Sequence, residues 1–196
     1  MRRSLKIVFY GPAGSGKTTN LDHIYTKYKH RINANAAMVK RVRDQKLFLD
    51  FLPLEITNIS GNKSGVQFYT VPGEDKYNAT RRLVLKGADG IVFVADSIAA
   101  RRGENIASFE NLQENLAAQL RDISKVPLVF QYNKRDLEKQ NIPLLSVDTL
   151  ERDLNWLQAP AFEASALTGI NVIATMKKII SLTLTSLHKE LKQSNG

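Results

Sequence analysis

The sequence contains no cysteine, which excludes disulfides, zinc–thiolate centres, thiol catalysis and attachment of prenyl or palmitoyl groups. Met1-Arg2 also lacks the glycine that myristoylation requires, so no lipid anchor is expected. No apolar run approaches the roughly 20 residues that span a bilayer. The opening MRRSLKIVFY leads straight into a glycine-rich loop without a small-residue cleavage site, and reads as a first strand rather than a leader. A cytoplasmic location is expected. Histidine is scarce: His23 and His30 have no carboxylate cluster at metal-ligand spacing around them and read as surface or packing groups. The one tryptophan, Trp156, reads as a half-buried anchor closing a short amphipathic helix. Acidic residues are also short, 19 against 28 Lys and Arg, giving a net charge of +9. The basic residues are scattered in small clusters, Arg2-Arg3, Lys27 to Arg31, Lys40 to Lys46, Arg81-Arg82, Arg101-Arg102 and Lys177-Lys178, with no basic strand interleaved with aromatics. That pattern reads as solvated faces around a phosphate-binding centre, with membrane contact only electrostatic or through partners and no nucleic-acid partner.

What is present suits one domain over residues 1–196, with 192–196 as a tail. Leu5 to Tyr10 is a short apolar run of the buried-strand kind, and LDHIYTKYKH after the glycine-rich loop reads as a helix. Leu47 to Ile59 and Val66 to Val71 are β-rich runs joined by SGNKSG, a hairpin signal. Asn78 to Lys86 reads as a helix ended by Gly87. Gly90 to Asp96 and Val126 to Tyr132 are further buried strands. Between them, Ile106, Phe109, Leu112, Leu116 and Leu120 keep helical spacing over Asn105 to Arg121. Ser146 is an N-cap candidate for a helix over Val147 to Leu157, and Ala161 to Glu163 is a brief strand. A last helix over Ile170 to Leu191 stripes Ile173, Met176, Ile180, Leu184, Leu187 and Leu191. Alternating strands and helices predict an α/β, three-layer domain: a six-stranded, mostly parallel sheet with about five helices and an antiparallel hairpin at one edge.

GPAGSGKT, Gly11 to Thr18, has the spacing of a phosphate loop. Its glycines let successive N–H groups converge on phosphate oxygens, and the helix beyond presents its positive end. Gly11, Pro12, Ala13, Gly14, Ser15, Gly16, Lys17, Thr18 and Thr19 are therefore the phosphate candidates, with Lys17 on the terminal phosphates and the Thr18 hydroxyl on Mg²⁺. NKRD follows a buried strand. There Asp136 could accept from two N–H groups of guanine while the Lys134 stem covers the ring, beside Asn133; adenine lacks that donor pair. Ser165, Ala166 and Leu167 follow the next strand, where a Ser-Ala pair could offer N–H groups to the guanine carbonyl.

The order GPAGSGKTTNL, LDFLPLE, TVPG, YNATRRLVLKGADGIVFVADS, NKRD and SAL resembles small Ras-like GTPases, and within them the bacterial MglA group that controls cell polarity and gliding. The resemblance covers nearly the whole chain. It implies a P-loop NTPase fold, GTP and GDP as ligands, Mg²⁺-dependent hydrolysis, and as partners a dimeric Roadblock-type regulator of the MglB kind and downstream effectors. Ras-type sequences begin the TVPG motif with an Asp that reaches magnesium through water; the MglA group has Thr, here Thr70. Two departures stand out. The family places Gln after Gly73 to orient the attacking water, and this chain has Glu74. The family also carries an Arg-Thr pair before LFFDFLP, where this chain has Gln45 and Lys46. An arginine finger contributes roughly 10³ to 10⁵ in rate, so hydrolysis is expected to be slow or altered. Lys17, Gly73 (as phosphate sensor) and Glu74 are the catalytic candidates. Lys46, Arg41, Arg43, Arg81 and Arg82 are the nearby cations, each read first as a solvated charge. Two alternatives stay open: a hydrolysis-deficient GTP-binding interaction module, and a phosphate-loop kinase of adenine nucleotides.

Overall fold

The computed structural model describes residues 4–29, 40–44, 47–57 and 63–194. Its centre is β1 (Leu5–Tyr10), buried along nearly its whole length. Strand side chains alternate between faces: Leu5, Ile7 and Phe9 enter one core, Val8 and Tyr10 the other. β1 pairs in parallel with β4 (Lys63–Thr70) on one side and β5 (Gly90–Asp96) on the other. β6 (Leu128–Asn133) and β7 (Ala161–Glu163) continue the parallel array.

Parallel neighbours need crossovers, and helices supply them. α1 (Lys17–Tyr28) and α5 (Val172–Ser194) cover the first face through Leu21, Ile24, Met176, Ile179 and Ile180. α2 (Asn78–Leu85), α3 (Arg102–Ala117) and α4 (Val147–Leu154) cover the second through Val84, Phe109, Leu112, Leu116 and Leu150. Phe93, Phe109 and Phe130 meet there with ring centroids 5.1, 5.7 and 5.3 Å apart. The expected cap of α4 is present, Ser146 Oγ accepting the Thr149 N–H at 3.2 Å.

The α/β class is as expected, and among the described residues there are five α-helices, also as expected, and a sheet of seven strands rather than six, in the order β2-β3-β4-β1-β5-β6-β7. The additional strand, β2 (Lys40–Asp44), extends the edge by pairing antiparallel with β3 (Leu47–Thr57), which itself pairs antiparallel with β4. The hairpin is thus present, while Ser60 to Asn62 at its tip lie outside the described residues.

Three apolar assignments fail, two of them past helix ends. Leu120, expected on the buried stripe of α3, is 98% exposed at φ +56°, because the helix stops at Ala117. Trp156 is 60% exposed and no anchor, because α4 stops at Leu154. Leu191 is exposed eight residues beyond Thr183, the last buried position of α5. That helix runs on to Ser194, so Lys192 to Ser194 are helical where a tail was expected. His23 does pack, against Gly169, where a Cβ would fall 2.0 Å from the imidazole. His30 lies outside the described residues. No described helix is long and apolar enough to cross a membrane.

Candidate functional site

After Tyr10 the chain curls through Gly11 to Gly16 before entering α1. Gly11 sits at φ +144°, and a Cβ there would lie 2.2 Å from the Val94 carbonyl oxygen; at Gly16, φ +99°, a Cβ would lie 2.2 Å from Asn133 Nδ2. The loop closes only because both positions lack side chains. Gly16 caps α1 without a side-chain hydrogen bond, so the N–H groups of Lys17, Thr18 and Thr19 have no capping side chain. Lys17 folds back over the loop, its Nζ donating to the carbonyls of Gly11 (2.9 Å) and Pro12 (2.7 Å). Burial, then the nearby Arg81 charge, push its pKa down to about 7; Asp50 opposes this and Arg101 adds to it. Ala13 and Gly14 form the outer lip, and Ser15 is fully buried.

The candidate base-reading residues are tied to this loop by one side chain. Asn133, at the end of β6, donates from Nδ2 to the Ser15 carbonyl at 2.7 Å and accepts the Ala166 N–H on Oδ1 at 2.8 Å. Lys134 then takes a left-handed conformation, φ +71°, and its Nζ reaches Asp96 Oδ2 at 2.6 Å. Asp136 follows in a 3₁₀ turn, partly exposed, with no hydrogen bond from its carboxylate among the described residues. The N–H groups expected to meet the guanine carbonyl are already engaged within the protein. Ala166 N–H is on Asn133, and Ser165 N–H donates to Ile170 O at 3.1 Å. Leu167 is largely exposed.

Asp50 was not among the sequence candidates. It lies on β3, and the Phe51–Tyr69 pair of the β3–β4 register brings it opposite Thr70. Thr18 Oγ1 donates to Asp50 Oδ2. Thr70 Oγ1 donates to the same oxygen at 3.1 Å and accepts the Asp50 N–H at 2.9 Å. The carboxylate missing from position 70 thus stands across the hairpin, on the hydroxyl of the proposed metal ligand. A hydroxyl whose proton is fixed on a carboxylate keeps its lone pairs for a cation. A donor set of oxygens alone is what Mg²⁺ takes. The residues present fit that ion.

Gly73 packs on the phosphate loop so closely that a Cβ would lie 2.3 Å from both Cα and N of Ala13. Arg81 holds it there. Read from sequence as a solvated charge, Arg81 is instead 1% exposed, donating to the carbonyls of Pro72 (2.9 Å) and Gly73 and to Asn111 Oδ1 (2.7 Å), with its guanidinium 5.8 Å from the Tyr10 ring centroid. Arg82 stays exposed, bonded to Asn115 Oδ1 at 2.7 Å. Glu74 is exposed and pairs with Lys76 at 2.7 Å; no hydrogen bond joins it to the loop among the described residues. Gln45 and Lys46, and the side chains of Arg41 and Arg43, lie outside the described residues. Asp96 was also missed: fully buried at the end of β5, it holds Lys134 at 2.6 Å and stands 3.7 Å from Arg101.

A glycine loop opening a helix at the carboxyl end of a parallel strand, joined through Asn133 to a base-reading turn, defines a guanine-nucleotide-binding G domain. Residues 2–185 match the family model of the elongation factor Tu GTP binding domain. The chain is also 45% identical over 184 residues, covering 94% of it and 92% of its relative, to the mutual gliding-motility protein MglA of Myxococcus xanthus (strain DK1622). It belongs to the Ras-like small GTPases of the MglA type, binds GTP and GDP, and is a GTPase.

Proposed function

We propose that this GTPase is a switch with slow intrinsic turnover, held in its GTP form until a partner assists. The observation that carries this reading is Glu74, exposed and neutralised by Lys76 at the position where the family aims its water. The amide donor is missing there, and Gln45 stands where the family has arginine. In this reading Gly11 to Thr19 cradle the phosphates, Lys17 reaches the terminal ones, and Gly73 N–H senses the third. Asp136 reads guanine, with Lys134 over the ring and Ser165 to Leu167 behind it. Thr18 would hold Mg²⁺, with Asp50 orienting its hydroxyl; the ion would neutralise charge on the terminal phosphates. A dimeric Roadblock-type regulator and effectors at the switch segments, in a bacterial cytoplasm, complete the proposal, with cell polarity or gliding as the process.

Single-turnover GTP hydrolysis tests it. The natural sequence should be slow without partners, and Glu74→Gln combined with Gln45→Arg and Lys46→Thr should be faster. Brisk hydrolysis by the natural protein would overturn the proposal.

Two further results are expected. Asp50→Ala should cost about 10- to 100-fold in the gain that Mg²⁺ brings to GTP affinity, the usual scale for an outer partner of a metal ligand. Titrations with and without EDTA read that gain. The second concerns Lys17. Its folded pKa of about 7 lies below the ordinary lysine value of 10.5, so protein stability from this group rises with pH between those values, where the unfolded chain holds the extra proton. Phosphates favour the ammonium, so nucleotide binding should take up close to one proton at about pH 8.5 and weaken as pH rises above 7. Calorimetry in buffers of different ionisation enthalpy measures that uptake; a flat dependence would remove Lys17 from the phosphates.

A further inference from the structure

Beyond β5 the chain runs from Asp96 through a 3₁₀ turn, Ala99–Arg101, into α3. That turn carries Arg101 onto the phosphate loop, where its Nη2 donates to the Ala13 carbonyl. Glu104 holds Nη1 at 2.6 Å, and Asp96 stands 3.7 Å from Nε. The side chain is 31% exposed. Ala13 is the same residue on which Gly73 closes. Lys17, Arg101 and the Gly73 backbone therefore all meet the Gly11–Ala13 turn, with Arg81 bonded to the Gly73 carbonyl. The three cations Lys17, Arg81 and Arg101, brought together against their mutual repulsion, suit a polyanion better than they suit the bare fold.

We propose that Arg101 leaves the Ala13 carbonyl for the terminal phosphate of GTP and supplies, within the same chain, the guanidinium that switch residues 45 and 46 lack, so that Glu74 alone accounts for the slow turnover. The inference rests on the cradle reading above. In the reaction a water oxygen forms a bond to the third phosphorus as the bond to the bridging oxygen breaks. That electron pair stays on GDP, and the water proton leaves with the phosphate product. Arg101 stays protonated throughout and neutralises charge on the transferring group. Glu104, exposed beside it, holds the fork on the carbonyl beforehand, and Asp96 links its position to Lys134 of the guanine motif.

The test compares the natural protein with Arg101→Ala and Arg101→Lys by two readouts: single-turnover GTP hydrolysis, and the gain in fluorescent-GDP affinity on adding aluminium fluoride, which mimics the transferring phosphoryl group. The expected result is GDP affinity within about twofold of natural, hydrolysis roughly 10³-fold slower for Arg101→Ala, and the aluminium fluoride gain lost. Arg101→Lys should recover only part, because lysine lacks the fork. If the alanine protein does not fold, the lysine variant carries the same two readouts. An unchanged rate and gain in either folded variant, or a parallel loss of GDP affinity showing a mere brace for Ala13, would overturn the inference. So would a natural protein that binds GDP but gains nothing from aluminium fluoride. Failure of the natural protein to bind GDP at all would instead defeat the cradle reading.

Discussion

Arg81→Ala will lower the unfolding free energy by about 3 kcal/mol or more and will separate Gly73 from the phosphate loop. The side chain is buried to 1%, and its removal leaves the carbonyls of Pro72 and Gly73 and the Asn111 Oδ1 without their shared donor. A buried acceptor stripped of a charged partner costs about 1–3 kcal/mol, less where water replaces it. Asn111 Oδ1 keeps Tyr10 OH and Asn115 Nδ2 as donors, so the cost falls on the two carbonyls. Urea unfolding measures the loss. Arg81→Lys should recover little, because one ammonium cannot span acceptors arranged for a planar fork. A lysine variant as stable as the natural protein would show that charge alone matters there. In the folded fraction of either variant, affinity for a non-hydrolysable GTP analogue should fall more than affinity for GDP, since Gly73 is the proposed sensor of the third phosphate alone.

The second large effect falls on specificity. Asp136→Asn should reduce GTP affinity by about 10⁴-fold, the penalty when a site built for particular N–H donors loses its matching acceptor. Because the carboxylate is partly exposed and bonds nothing among the described residues, fold stability should scarcely change. The same variant should gain affinity for xanthosine nucleotides, whose extra carbonyl suits the new amide donor. Competition titrations with GTP, ATP and XTP read all of this. Undiminished GTP binding would remove Asp136 from the base edge.

The contrast between these two residues shows what a sequence carries. Gly11 to Thr18 and Asn133 to Asp136 are contiguous, so covalent spacing alone sets their geometry, and both were legible as motifs. The strands were legible because the continuous apolar runs of β1 and β5 supply both faces of a buried strand. Asp50 was not legible, because its meeting with Thr70 depends on hairpin register. A glycine-rich turn such as SGNKSG permits several registers, and a one-residue slip would send Asp50 to the opposite face. Arg81 misled for a different reason. Arginine is rarely buried, and the carbonyls of Pro72 and Gly73, just past β4, with Asn111 of α3, make its burial tolerable. Leu120 kept its helical spacing past the point where the backbone turned left-handed, so periodicity outlived the helix.

Asn133 has a consequence for how ligand fragments behave. Since one amide clamps Ser15 and Ala166 at once, the seats for sugar-base and for polyphosphate move as one body. A nucleotide entering both meets the second seat already aligned by the first, at a high effective concentration. Guanosine and pyrophosphate added together should therefore bind far more weakly than the intact molecule, and severing the clamp with Asn133→Ala should shrink that advantage.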